Sequence, residues 1–305
     1  MSQSSTVTPD AQTFSAQSMA LVSVLLFVDS LHFIFARLLL PHIGPPLSVL
    51  YVIGIATVEV GIFASVTRRL RWAYFFEHWK LFSAIGFCIA VSTVVNYEAV
   101  AFIDAGTASM LGKTSLIFGL GFGIFWLGDR FSRLQVIGSV IAIAGLVLIT
   151  FQPGDYLRLG ALMIIGATFL YALHTALSKR YTQDMDLVNF FFYRLLFTTL
   201  VLLVFVAGSG RLGLPPTPTA WFLLLLGGTV DVTISRGLYY IALRRLNMSV
   251  FSIILTAGPV VAIIWSLLLF GTFPTPQQLL GGVGVLGGVA LATAAPLLEK
   301  RKRLR

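Results

Sequence analysis

The chain has 305 residues, of which 57% are hydrophobic and 11% charged, with a mean hydropathy of +0.91 and a formal net charge of +9. Soluble domains carry about 25% charged residues, so this composition excludes a soluble domain and points to an all-α integral membrane protein. The basic excess sits in alternate loops rather than on one face, which argues against nucleic acid as a partner, and the single cysteine, Cys88, excludes an intrachain disulfide or a cysteine-built zinc site.

Residues 1–17 are rich in Ser, Thr and Gln and carry no basic residue, so they read as a disordered tail rather than a secretory signal. The apolar runs that follow predict ten transmembrane helices at about 19–40, 46–66, 81–103, 107–127, 134–151, 158–178, 187–207, 219–241, 249–270 and 278–297. Most approach the roughly 20 residues needed to cross a bilayer, whereas barrel strands would be about half as long and would alternate. Short links with Pro or Gly separate most of them, as at Pro41 to Pro46, Gln152 to Gly154, Gly208 to Pro218 and Gly271 to Pro276. The longer link from Thr67 to Lys80 mixes bases with Trp72, Tyr74, Phe75, Phe76 and Trp79, a composition suited to headgroup depth.

Short cytoplasmic loops collect Lys and Arg. With a cytoplasmic N-terminus the inner side takes Arg68, Arg69, Arg71, Lys80, Arg130, Arg133, Lys179, Arg180, Arg244, Arg245 and a basic tail over 298–305, while the outer loops hold Arg158 and Arg211. Both termini are then cytoplasmic, in a plasma (inner) membrane.

Residues 97–150 lie without a gap on 240–293: Tyr97 on Tyr240, Ser109 on Ser252, Gln135 on Gln278, Gly138 on Gly281, Gly145 on Gly288 and Thr150 on Thr293. The chain therefore divides into a first repeat over 18–152 and a second over 153–297. Five spans per repeat is an odd number, so the second copy enters the membrane from the opposite side. Two inverted five-helix repeats are an arrangement that lets one midplane site open alternately to each face.

The quoted segments YEAVAFIDAGTASMLGKTSLIFGLGFGIFWLGDRF with LQVIGSVIAIAGLVLIT, and YYIALRRLNMSVFSIILTAGPVVAIIWSLLLFGTF with QQLLGGVGVLGGVALAT, resemble the EamA-type families of the drug/metabolite transporter superfamily. Leu116 replaces in the first copy the proline present as Pro259 in the second, Asp129 is matched by Thr272, and Arg194 is matched by Ile53. The resemblance implies a ten-helix exporter or exchanger of small metabolites, with a central cavity lined by helices 1, 3, 4, 6, 8 and 9.

Charges inside a bilayer cost about 2.5–3.5 kcal/mol each on insertion scales and mark function by default. By depth they sort into three levels. Near the outer face Glu98 and Lys113 are equally far from the turn at Ala105 and Gly106, which suits an ion pair, either static or acting as an outer gate. At mid-depth Asp29 and His32 share one helical face, with Asp231 at similar height. Near the inner face lie His174 and Arg236, candidates for an inner gate or a carboxylate contact, with Glu59 and Arg194 slightly deeper. Arg194, and Arg37 at the outer end of helix 1, read as structural snorkelling arginines. Tyr97, Phe118, Tyr171, Tyr239 and Trp265 are candidates to line a cavity, against the plainer role of packing on lipid or neighbouring helices.

The mixture of carboxylates and bases favours an amino-acid-like zwitterion as substrate, with proton coupling through Asp29 or Asp231 as an added feature. An organic anion, such as a phosphorylated metabolite or dicarboxylate held by Lys113, Arg236 and His174, is the alternative. A lipid flippase and a membrane-embedded enzyme rank lower: no P-loop lysine, HExxH or nucleophile-elbow motif is present. The sequence calls for no cofactor and no metal.

Overall fold

The computed structural model describes residues 16–126, 133–150, 159–182, 185–245 and 257–303. These residues form helices and no strand. In chain order they are α1 (Ala16–Asp29), α2 (His32–Leu39), α3 (Pro45–Val66), α4 (Ala73–Glu77), α5 (Trp79–Ala99), α6 (Ala105–Gly112), α7 (Ser115–Phe125), α8 (Arg133–Thr150), α9 (Leu159–Tyr181), α10 (Leu187–Gly208), α11 (Pro218–Leu226), a π-helical stretch (Gly227–Ile234), α12 (Ser235–Arg245), α13 (Gly258–Phe270) and α14 (Pro276–Arg303). The expected helix over 249–256, the tail up to residue 15, the Gln152 to Gly154 turn, Arg130, Arg158 and Arg305 lie outside the described residues.

Local chemistry sets the helix ends. Pro45 and Pro46 open α3, where a missing N–H leaves nothing unsatisfied. Asp104 caps α6 through Thr107 N at 2.8 Å, and Asp186 caps α10 through Val188 N at 3.1 Å. Thr275 and Gln278 form a reciprocal capping box at the start of α14 (2.7 and 3.3 Å). Gly271 ends α13 in the left-handed region at φ 63°.

Among the described residues α3, α5, α9, α10 and the run Pro218–Tyr239 are long and apolar enough to cross a membrane, and Arg133–Ile149, Gly258–Phe270 and Pro276–Ala292 are shorter apolar helices. Their outward faces are apolar too: Val204, Leu268 and Val283 are 74%, 71% and 69% exposed. Such surfaces are stable only against acyl chains, and the chain is a multi-pass membrane protein.

Two predicted spans are not single helices. The first breaks at Ser30 and Leu31, where Ser30 Oγ donates to Phe27 O (2.7 Å) and Leu31 N to Val28 O (3.2 Å). The fourth breaks at Lys113 and Thr114, where Thr114 Oγ1 donates to Leu111 O (2.7 Å) and meets Thr168 Oγ1 of α9 at 3.1 Å. Neither break contains Pro or Gly, so hydrophobicity alone read straight through them. Serine and threonine hydroxyls compete for backbone carbonyls and loosen the helix locally. The last helix runs on to Arg303, through residues expected to be tail.

Helices α8 and α14 form the tightest seam. A Cβ added at Gly138 would lie 2.5 Å from Gly288 O, and one at Gly145 would lie 2.5 Å from Gly281 O. Early residues of one helix meet late residues of the other, so the two run antiparallel, backbone against backbone, as small residues allow in lipid. Away from this seam α5 packs on α9 and α10, α3 on α10 and the π stretch, and α1 on α12. The aromatic link is fixed to α10: Asn189 Nδ2 donates to Arg69 O (2.9 Å), its Oδ1 accepts from Arg71 N (2.9 Å), and Tyr193 OH donates to Arg71 O (2.9 Å).

Candidate functional site

Three irregular helices meet in the interior. The α1/α2 break, the α6/α7 break and the π stretch each place a charged side chain where the helix is locally unwound or widened, a recurrent feature of functional sites. Around them lies a cavity of about 170 Å³ lined by Asp29, His32, Phe33, Asn96, Ser109, Gly112, Lys113, Ser115, Leu116, Thr168, Tyr171, Arg236 and Tyr239.

Asp29 is its hub. Its carboxylate accepts from Arg236 Nη1 at 3.2 Å and faces Lys113 Nζ at 3.6 Å. All three side chains are 14–19% exposed, so little water screens them. One carboxylate serves two cations, which leaves one positive charge in surplus on the wall. His32 lines the same cavity, and its Nδ1 meets Asp231 Oδ2 on the π stretch at 2.9 Å. An ionised carboxylate oxygen only accepts, so with Asp231 ionised Nδ1 donates in that bond and Nε2 takes no part in it. Asp231 is 1% exposed, and its second oxygen has no hydrogen-bond partner among the described residues. The same holds for Asn96 Oδ1, Tyr97 OH and Ser235 Oγ.

The widened turn of the π stretch is held from both sides. Asp231 reaches inward to His32, while Thr229 and Thr233 donate to the two oxygens of Glu59 on α3 (2.6 and 2.5 Å). Gly228 allows α3 this close, since a Cβ there would stand 2.8 Å from Ile55.

The arrangement corrects several expectations drawn from depth. Lys113 does not pair with Glu98; the kink after Gly112 turns its ammonium to Asp29 instead. Arg236 does not form a separate inner level, because its long side chain climbs to the same carboxylate. Asp29 and His32 both line the cavity, but from separate helices, because the span breaks between them. Arg194 does not snorkel: it is 6% exposed, with its guanidinium 5.3 Å from the centre of the Phe191 ring. Arg37 donates to Val100 O, which ties α2 to the C-terminal end of α5. His174 is buried beside Tyr171, ring centres 4.4 Å apart, and is not among the lining residues.

Of the aromatic candidates, Tyr171 and Tyr239 line the cavity. Tyr97 lies behind His32 with ring centres 5.8 Å apart, Phe118 packs edge-on against Phe169, and Trp265 packs against Phe27. The sequence reading missed Asn96, Ser109, Ser115 and Thr168. Attention to charge passed over neutral polar residues inside apolar helices, of which Asn96 and Thr168 were the visible signal.

A polar cavity at helix breaks inside an apolar bundle suits a membrane transporter. The EamA-like transporter family model matches residues 15–151 and again 158–294, and the chain belongs to that family. It is 29% identical over 189 residues to the uncharacterized transporter YdfC of Bacillus subtilis, a match covering 61% of this chain and 62% of that protein. It is 26% identical over 218 residues to a probable terminal-alkyne amino-acid exporter of Streptantibioticus cattleyicolor, covering 70% of this chain and 72% of the other. The fold is similar to that of a solved crystal structure with a TM-score of 0.65 at 18% identity, covering 93% of this chain and 99% of that one.

Proposed function

We propose that this transporter exports or exchanges a small amino-acid-like zwitterion by alternating access, as two inverted five-helix repeats crossing the plasma membrane ten times with both termini cytoplasmic. The observation that carries the substrate class is the Asp29 carboxylate shared between Lys113 and Arg236. Their surplus positive charge suits a substrate carboxylate, which forms strong charge-assisted hydrogen bonds with both cations. Asn96 Oδ1, which has no hydrogen-bond partner among the described residues, and the Asp29 oxygens supply acceptors for an ammonium group on the same wall. The name of the Streptantibioticus relative agrees with this class.

Inversion is supported by the α8/α14 seam. Gly138 and Gly145 occupy the repeat positions of Gly281 and Gly288, yet Gly138 meets Gly288 and Gly145 meets Gly281. A contact that exchanges its two members in this way implies a two-fold axis perpendicular to the antiparallel pair, which for spanning helices lies in the membrane plane.

Counterflow in proteoliposomes against radiolabelled amino acids, dicarboxylates and phosphorylated metabolites tests the reading. Amino acids are expected to exchange, and Lys113→Gln to weaken that exchange. The same surplus charge favours an organic anion as the second reading. That reading replaces the first if dicarboxylates or phosphorylated metabolites exchange and amino acids do not, and it fails if Lys113→Gln keeps full anion uptake.

A further inference from the structure

We infer that the His32–Asp231 pair is a site for a coupling proton, distinct from the Asp29–Lys113–Arg236 cluster that receives the substrate carboxylate, so that solute leaves in exchange for a proton. This rests on the transport reading above and divides the labour within its cavity.

Geometry separates the two groups. Asp29 is held by two cations (3.2 and 3.6 Å), and protonating it would leave both without their counter-charge. Asp231 has one close contact to a basic group among the described residues, the imidazole at 2.9 Å; Arg236 acts on it from further off, and its Oδ1 is unpartnered among the described residues. The imidazole links this buried carboxylate to the cavity wall.

The groups around His32 are few. The π stretch brings Asp231, α1 brings Asp29, the α6/α7 junction brings Lys113, and α12 brings Arg236 and Tyr239. Helix α5 brings Tyr97, with Glu98 next to it in sequence. Helices α11 and α13 carry no titratable side chain. The two on α3 are engaged elsewhere, Tyr51 on Gly213 O and Glu59 on Thr229 and Thr233.

A proton arriving from water on one face adds to His32 Nε2, while Nδ1–H stays on Asp231 Oδ2; it leaves from Nε2 to water on the other face. Without that proton the pair carries one negative charge, which offsets the surplus positive charge of the substrate cluster and makes room for the substrate's ammonium. With it the pair is neutral and the cavity is cationic, which repels the ammonium. Proton and solute therefore exclude one another, and alternation of the two produces exchange.

The test uses the full chain in sealed liposomes with a uniformly ¹⁴C-labelled amino-acid mixture, the membrane potential clamped at zero with potassium and valinomycin. Label uptake is measured by counterflow at equal pH and again with the interior one pH unit more acid. For one proton per solute, one pH unit supports an accumulation ratio of at most about tenfold, and the wild type is expected to approach it. In His32→Gln and Asp231→Asn the ratio of gradient-driven to equal-pH accumulation falls to about one, whatever the absolute rate. In Asp29→Asn the exchange itself falls, and the residual keeps the wild-type ratio. A wild-type ratio of about one overturns the inference, as does a wild-type ratio that survives in His32→Gln, whose amide can still donate to Asp231 if Asp231→Asn does not fold. Absence of wild-type counterflow instead overturns the zwitterion reading on which the inference rests.

Discussion

The interior cavity and the α8/α14 seam obey opposite rules. The two matched segments, 15–151 and 158–294, begin and end 143 residues apart, the offset at which residues 97–150 lie on 240–293. By that correspondence the seam glycines repeat, Gly138 with Gly281 and Gly145 with Gly288. The cavity charges do not: Asp29, His32, Lys113, Asp231 and Arg236 fall opposite Ala172, Thr175, Thr256, Cys88 and Thr93. The framework is symmetric because each half must pack against the other's backbone. The site is asymmetric because a cavity inside an apolar bundle can neutralise only a few charges. Duplicating the set would place two like-charged clusters in one small space.

Substitutions can break this contrast. The largest effect is expected at the seam: Gly145→Leu puts a branched side chain where a lone Cβ already lies 2.5 Å from the Gly281 carbonyl. Overpacking usually costs about 1–3 kcal/mol, and here backbone opposes backbone with no flexible side chain to yield. The variant should lose monodisperse behaviour in detergent, and an unchanged melting temperature would dissolve the contrast. Asp29→Asn comes next. Removing one partner of a buried ion pair costs about 3–5 kcal/mol, so a fall in thermal stability and a loss of counterflow of about 100-fold are expected together.

Smaller effects sharpen the contrast. Lys113→Gln leaves the Asp29–Arg236 bond in place and should raise the half-saturation concentration about tenfold, the loss of one charge-assisted contact. A change in maximal rate alone would move Lys113 out of substrate binding. Thr114→Val removes the 3.1 Å hydroxyl contact with Thr168 at the α6/α7 break. The expected cost is about 0.5–1.5 kcal/mol, with slower transport as the break straightens. Gly166→Ala is the smallest: a Cβ there meets nothing within 4 Å, so stability should stay level or rise by up to about 1 kcal/mol. Destabilisation there would show that glycine content, rather than close approach, governs the bundle.

Much of this was legible beforehand. Apolar runs located the helices, and the Gln135/Gln278 and glycine correspondences located the repeats, because bilayer thickness and backbone satisfaction impose length and helicity on any spanning segment. The charges were legible as exceptions. Their partners were not: Glu98 and Lys113 stand level across a hairpin, and depth along a straight helix is all that a hydropathy reading supplies.

The sequence by itself determined a lipid-embedded helical chain with two related halves and a short roster of intramembrane charges, since composition and periodicity respond to the solvent around each segment. Only the tertiary structure decided that α1/α2 and α6/α7 are broken and that Asp29 is shared by Lys113 and Arg236. It also decided that His32 belongs to Asp231. Those outcomes depend on side-chain direction at a kink and on reach across helices far apart in the chain, and in a medium of low dielectric each charge goes to the counter-charge it can reach.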